Sequence, residues 1–408
     1  MRATRSFPLY GREYKKDPYP TYARLRDEGA VHRVEFPSGV LGWLVTGYDP
    51  AIHTLTDPRL GKNHSLGNEA WRELASIMPE PQHSLLQAHL LHQDPPKHTM
   101  MRSLVLEAFA PRRIASLRPR VEKIAHSLLD AIHPAGEAEL IHSFCVRFSF
   151  TVLSEVIGLP VDYQRRFRRE WCKVVQPVGP QDPLRGTYIG LLHELQSYID
   201  DLITVKRARP EDDLLSELVK ANDAGTLTDA ELSSMIFQLL VAGQEPVTNQ
   251  ISTALLTLLS HADQLAQLQG DPGLLPAAVE ECFRFDTAFE LTTWRFFTEP
   301  VEHYGVQIPA GDSVIVSLAA ANRDPRRFHC PNSLDFNRSP NPHLSFGHGI
   351  HYCPGAALAR LEVQVALDAL IRRLPRLRLA VPPDHLEWIP AVLGRGVEHL
   401  PVTFTPRH

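Results

Sequence analysis

Apolar residues recur three to four positions apart through most of this chain, while alternating runs are confined to its outer parts. Near the start, Tyr22 and Leu25 share a face within Pro20–Gly29, which predicts a short helix stopped by glycine. Val31, Val34 and Phe36 then precede a Pro37-Ser38-Gly39 turn, and Trp43-Leu44-Val45 follows it, which predicts a hairpin. From Pro111 to residue 270 the pattern is helical, with Pro and Gly marking the breaks. Thr228-Asp229-Ala230-Glu231 is a capping box, in which the first and last side chains satisfy each other's orphan amides. The helix it opens continues through Met235, Ile236, Leu239, Leu240, Ile251, Leu255 and Leu258 to Ser260. At about 1.5 Å per residue that is a rod of about 45 Å, long enough to cross the molecule. Short strands are expected again in 301–308 and 314–318, and a last amphipathic helix in 355–374. The fold class predicted is mostly α with small peripheral β-sheets.

Composition narrows the picture. Of 408 residues, 43% are hydrophobic and 22% charged, so the chain can bury a large core, and no Gly/Ser linker or repeat marks a boundary. One domain over 1–408 is the expectation. A net charge of -5 leaves no excess of cations for phosphates, so nucleic acid is not an expected partner. No apolar run is long enough to cross a bilayer, and 1–10 lacks a signal peptide's apolar core, so no membrane and a cytoplasmic location are expected. The five cysteines stand singly, with no C-x-x-C pair for zinc or redox exchange, and four of them read as reduced, buried and inert.

The fifth is Cys353, set in Phe346-Gly347-His348-Gly349-Ile350-His351-Tyr352-Cys353-Pro354-Gly355 at the mouth of the last helix. Backbone N–H groups and the positive end of the helix dipole there favour an ionised sulfur and a lowered pKa. Gly347, Gly349 and Gly355 let the backbone come close to a flat ligand. His343, His348 and His351 also suggest a histidine metal cluster, a reading that the cysteine motif displaces.

The spacing Phe346-x-x-Gly349-x-His351-x-Cys353-x-Gly355 resembles the haem-binding signature of the cytochrome P450 superfamily, and the resemblance extends over nearly the whole chain. It implies the cytochrome P450 fold, with the long central helix over the haem, and haem b whose iron takes the thiolate of Cys353. Three further stretches match in order. Glu281-Cys282-Phe283-Arg284 resembles the family's E-x-x-R pair, which holds the core beside the haem. Asp94-Pro95-Pro96-Lys97-His98 through Arg102 resembles the helix whose His and Arg bind a haem propionate, and Arg295 and His351 align with further propionate partners. Phe346, Gly347, Gly355 and Ala242 are implied cofactor contacts. Haem carries two carboxylates, and Arg suits bidentate binding of such groups.

The family's central helix carries an acid and an alcohol that guide protons to bound oxygen; here the stretch is Ala242-Gly243-Gln244-Glu245-Pro246-Val247-Thr248. Gly243, Gln244, Glu245 and Pro246 are thus the candidate catalytic positions, with proline at the alcohol's place. Pro246 has no N–H for the carbonyl of Ala242 and its ring clashes with it, so the helix should kink there. Either the proline only fixes a kink, or proton delivery is altered and runs through water, Glu245 or the substrate. Thr248, two residues on, is expected on another face. A proline here also resembles the family's peroxide-using branch, but Glu245 stands where those members carry an arginine for a fatty-acid carboxylate.

The resemblance implies a haem-thiolate oxidase or monooxygenase of bacterial secondary metabolism, acting on a medium-sized natural-product intermediate; the alternative is coupling or ring closure without oxygen insertion. With no fused flavin or iron–sulfur centre expected, electrons would come from NAD(P)H through a reductase and a ferredoxin, with Arg112, Arg113, Arg360 and Arg372 as candidate docking cations. A monomer is expected. By alignment the substrate pocket is lined by the loop 77–90 with Leu85 and Leu86, by Phe237, Leu240, Val241 and Gln244, by Phe289, Leu291 and Thr292, and by Val392 and Leu393.

Overall fold

The computed structural model describes residues 5–6, 10–36, 39–74, 78–175 and 183–406. Pro37 and Ser38 of the expected turn, Ile77 of the expected pocket loop and most of the segment 1–10 lie outside them. Helices form the body, and the strands gather in sheets at its edge. The strands are β1 (Arg5–Ser6), β2 (Val31–Glu35), β3 (Leu41–Val45), β4 (Leu60–Gly61), β5 (Glu137–Glu139), β6 (Arg295–Phe297), β7 (Val301–His303), β8 (Val306–Ile308), β9 (Ser313–Val316), β10 (Arg378–Leu379) and β11 (Pro401–Thr403). The largest sheet has the order β1-β2-β3-β9-β6-β4, the second β10-β11-β5, and β7 pairs with β8.

The hairpin expected from the alternation is β2 and β3, antiparallel with Val31 facing Val45. The period of two sends Val34, Phe36, Leu44 and Ile315 into one apolar cluster and Val31, Trp43, Val45, Val314 and Val316 into another, so the sheet is covered on both faces. The run 301–308 is itself a hairpin, because Tyr304 and Gly305 both take positive φ in a two-residue turn.

The capping box forms as read: Glu231 N donates to Thr228 Oγ1 at 3.2 Å and Thr228 N donates to Glu231 Oε2 at 2.9 Å. The single long rod does not form. The stretch is two helices, Asp229–Ala242 and Glu245–Leu259, interrupted at Gly243 and Gln244. Gln244 N reaches only Val241 O, at 3.4 Å, and the ladder restarts with Thr248 N donating to Gln244 O at 3.1 Å. Pro246 thus sits in the first turn of the second helix, where a missing N–H leaves nothing unsatisfied. The expected kink is a full break two residues earlier.

The Glu245–Leu259 helix is buried on every side from Val247 to Leu258. Its apolar residues, among them Ile251, Leu255 and Leu258, each contribute about 1.5–3 kcal/mol of burial before entropy is charged against them. Its polar residues are satisfied within the helix, as where Thr253 Oγ1 donates to Asn249 O at 2.9 Å, and by neighbouring segments, as where Gln250 Oε1 accepts from Ala288 N at 2.9 Å. The last helix, Ala356–Arg373, packs on this one and starts at Gly355, directly after Cys353.

Candidate active site

The loop before the last helix is shaped by its own backbone. Gly347 N donates to Leu344 O at 2.8 Å, Tyr352 N to Gly349 O at 3.0 Å, and Cys353 N to Phe346 O at 2.9 Å, which closes the loop on the cysteine. Gly349 has φ +73, and a Cβ there would lie 2.8 Å from Leu55 O, so both conformation and space demand glycine. A Cβ on Gly355 would stand 3.9 Å from Cys353 Sγ, which places that residue beside the sulfur. Phe346 packs on Phe283 with ring centroids 4.7 Å apart, and the Arg360 guanidinium lies 4.4 Å over the Phe346 ring.

The expected lowering of the Cys353 pKa is not what the protein alone produces. Burial pushes the thiol up, against the Gly355 N–H and the charges of Arg102 and Arg360. Desolvation of the sulfur outweighs the helix mouth, so the thiolate needs a cation bound to it.

Around this loop the structure gathers cations and imidazoles, several of them without a hydrogen-bond partner among the described residues. His98 and His351 lie with ring centroids 4.3 Å apart, and both nitrogens of His98 and Nε2 of His351 are buried without a hydrogen-bond partner. Arg102 Nη2 donates to Tyr352 O at 2.9 Å. Arg295 is buried, and burial pushes its pKa down to about 10. Burial, followed by Lys62, Arg295, His98 and Arg102, pushes His351 down to about 2. The nearby carboxylate, Asp94, is engaged by the N–H groups of Lys62 and Asn63 at 2.9–3.1 Å. Orphaned donors around buried positive charge are what two haem carboxylates would satisfy. The residues therefore fit a haem with its iron on Cys353. Ala242, at the end of a helix whose neighbours are mostly buried, is exposed, as a residue facing an internal space would be.

Lys62 is the participant that sequence reasoning missed. It is 1% exposed, its Nζ donates to Trp294 O at 2.7 Å and to Thr293 Oγ1, and burial and Arg295 hold its pKa well below the ordinary lysine value. A lone lysine after a two-residue strand carries no mark that separates it from a surface charge. Three imidazoles, His64, His92 and His89, pack against one another in tilted pairs beside it, with centroids 4.0 and 4.4 Å apart, and His89 lies 6.2 Å from Phe237. Burial and the charge of Lys62 keep them neutral, His64 and His89 near about 3.

Of the candidate catalytic positions, Gln244 is committed to structure. Its Oε1 accepts from Cys172 Sγ at 3.1 Å and its Nε2 donates to Thr248 Oγ1 at 3.2 Å, so it turns toward Cys172. A Cβ on Gly243 would lie 2.5 Å from Leu153 Cδ1, so this glycine is required by helix packing. Glu245 and Pro246 are half-buried in the first turn after the break. Glu281 and Arg284 form the expected pair, fully buried at 2.7 Å, and Glu281 also receives Arg338 Nε and Asn341 Nδ2. Arg284 donates onward to the carbonyls of Asn322, Pro331 and Ser333, which fixes the chain ahead of the cysteine loop.

The pocket residues fall into two apolar groups. Leu85, Leu86, Phe237, Leu240 and Val241 belong to the main helical core, whereas Leu291, Val392 and Leu393 pack with the sheet. Leu86, Leu240 and Leu291 are sealed at 0% exposure, and Phe289, Val392 and Leu393 are half-buried. Thr292 Oγ1 accepts from Val316 N at 3.1 Å. Arg360 is less available for docking than expected, because Nε and Nη2 bind Glu280 at 2.6 and 2.9 Å; Arg372 pairs with Asp368, and Arg112 and Arg113 are exposed.

Comparison with known proteins follows the same lines. The cytochrome P450 family profile matches residues 273–388. The chain is 44% identical to cytochrome P450 monooxygenase PikC of Streptomyces venezuelae over 96% of its length and 92% of that protein. It superposes on the myxobacterial cytochrome P450 CYP267B1, crystallised with myristic acid, with TM-score 0.93 at 38% identity, covering 99% of this chain and 100% of that one. The cytochrome P450 enzyme CxnD, for C–S bond formation in chuangxinmycin biosynthesis, gives TM-score 0.90 at 34% identity, covering 100% and 99%. Among the described residues no helix is long and apolar enough to cross a membrane.

Proposed function

From the premise that this chain belongs to the cytochrome P450 family, we propose that it is a single-domain haem-thiolate monooxygenase that tailors a medium-sized natural-product intermediate. The observation that carries this reading is the Cys353 loop facing a set of buried, anion-seeking donors. Cys353 would bind the iron, and His98, Arg102, Arg295, His351 and Lys62 would hold the carboxylates of haem b. When bound, the haem supplies dioxygen activation using two electrons, with the thiolate donating electron density to the iron.

The chain's own residues do the rest. Glu245, in the first turn after the helix break, would relay protons delivered by water, and Pro246 removes the hydroxyl that would otherwise hand protons on. Phe237 and Val241, backed by the sealed Leu240, turn apolar surface to the substrate, and Phe289, Val392 and Leu393 exclude water from the other side. Arg112 and Arg113 offer exposed charge to an acidic ferredoxin, itself reduced by an NAD(P)H-dependent reductase.

The difference spectrum of the dithionite-reduced protein with and without carbon monoxide tests the ligand. A thiolate-type band that Cys353→Ala abolishes is expected, and its retention in that variant would overturn the assignment. A second reading, coupling or ring closure without oxygen insertion, is favoured by Pro246 and by the likeness to a C–S bond-forming enzyme. Product mass separates the two: a gain of one oxygen atom supports monooxygenation, and a loss of two hydrogens supports coupling.

A further inference from the structure

We propose that Glu139, His142 and His399 form a divalent transition-metal site on the small β-sheet, apart from the elements that carry Cys353. Their ligand atoms all lie within 4.8 Å of one another. Glu139 ends β5, which pairs antiparallel with the chain's last strand, β11, in the register Glu139 to Pro401. That register sets His399, two residues before Pro401, across from the residues that follow β5. There the chain makes a π-helical turn, Ile141–Cys145, whose second residue is His142. Such wide turns are uncommon and recur at functional sites. The two imidazole centroids are 5.6 Å apart.

The carboxylate between them is preorganised. Glu139 Oε1 accepts from Ile141 N and Leu400 N, both at 2.9 Å, and Oε2 accepts from His142 N at 2.9 Å. Three of the roughly four lone-pair positions of a carboxylate are thus used, and the remaining one is on Oε2. The backbone of one histidine and the neighbour of the other fix this group, so a metal would meet a ligand already held in place. Glu137 and Glu398, in the same two segments, add negative potential. Two imidazoles and one carboxylate suit zinc-type ions, with water completing the coordination. His142 and His399 are exposed, so an ion can enter from solvent, and bound there it would clasp the last strand to the turn that opens the Val146–Ile157 helix.

The test is equilibrium dialysis of the tag-free holoenzyme against zinc, followed by metal analysis. Wild type is expected to retain about one more zinc per chain than the H142A/H399A double variant, and E139Q to bind at least about tenfold more weakly. H385A, which alters an exposed histidine elsewhere, should match wild type. Zinc should also raise the unfolding temperature of wild type and leave the double variant unchanged. Equal zinc in wild type and double variant, whether both bind or neither does, would overturn the site. Should the double variant lose its haem spectrum, His399→Asn alone gives the same comparison, because His399 lies outside the turn.

Discussion

Thr248 Oγ1 lies 2.8 Å from Ser149 Oγ and accepts from Gln244 Nε2 at 3.2 Å, so the hydroxyl nearest in sequence to Pro246 is tied between two helices. It is thereby unsuited to hand protons on at the helix break. The break at Gly243 and Gln244 leaves Glu245 as the ionisable side chain of that turn.

Pro246→Thr should therefore keep haem binding and restore a hydroxyl at the break. Product formed per reductant oxidised should change and peroxide leak should fall, by up to about 10²-fold, the lower end of what one positioned proton donor contributes. Product and peroxide assays against reductant consumption check this. A variant equal to the parent in both would show that the proline acts on the helix alone.

Gly243→Ala should cost about 1–3 kcal/mol, because the new methyl meets Leu153 Cδ1 at 2.5 Å and the backbone oxygen of Leu239 at 2.8 Å. Adding Leu153→Ala should relieve the side-chain clash but not the backbone one. Denaturant unfolding of the two single variants and the double variant measures that non-additivity.

Lys62→Met should act with opposite signs on apoprotein and holoenzyme. Removing a buried amine whose charge is opposed by burial and by Arg295 should stabilise the apoprotein. Loss of a charged hydrogen bond of about 1.5–3 kcal/mol should weaken haem binding by about ten- to hundredfold. Haem transfer to a scavenger protein and thermal unfolding of the apoprotein give the two readouts, and a haem affinity equal to wild type would remove Lys62 from the carboxylate site.

Glu280 sets an acid limb of stability. Burial raises its pKa, but His343 and Arg360 outweigh burial and hold it at about 2. The folded value lies below the unfolded one, so the stabilisation is full above the unfolded pKa of about 4.3 and is lost as pH falls toward 2. Unfolding midpoints between pH 6 and the acid limit should fall less steeply in Glu280→Gln than in wild type.

The local elements were legible in the amino-acid sequence because their causes are local. The Thr228 and Glu231 side chains cap their own helix, the alternation in 31–45 builds the hairpin, and the glycines around Cys353 permit the turns that present it. The Glu281–Arg284 pair was legible for the same reason, being three residues apart on one helix face. Tertiary structure alone decided what depends on distant neighbours. Leu153 makes Gly243 a packing residue, Cys172 and Ser149 draw Gln244 and Thr248 into a buried polar chain, and Glu280 takes Arg360 out of the docking set. Burial raised the Cys353 thiol where helix position predicted a lowering, and it turned Lys62 from an ordinary surface charge into part of the site. Desolvation is a property of everything packed around a group, and no spacing along the chain records it.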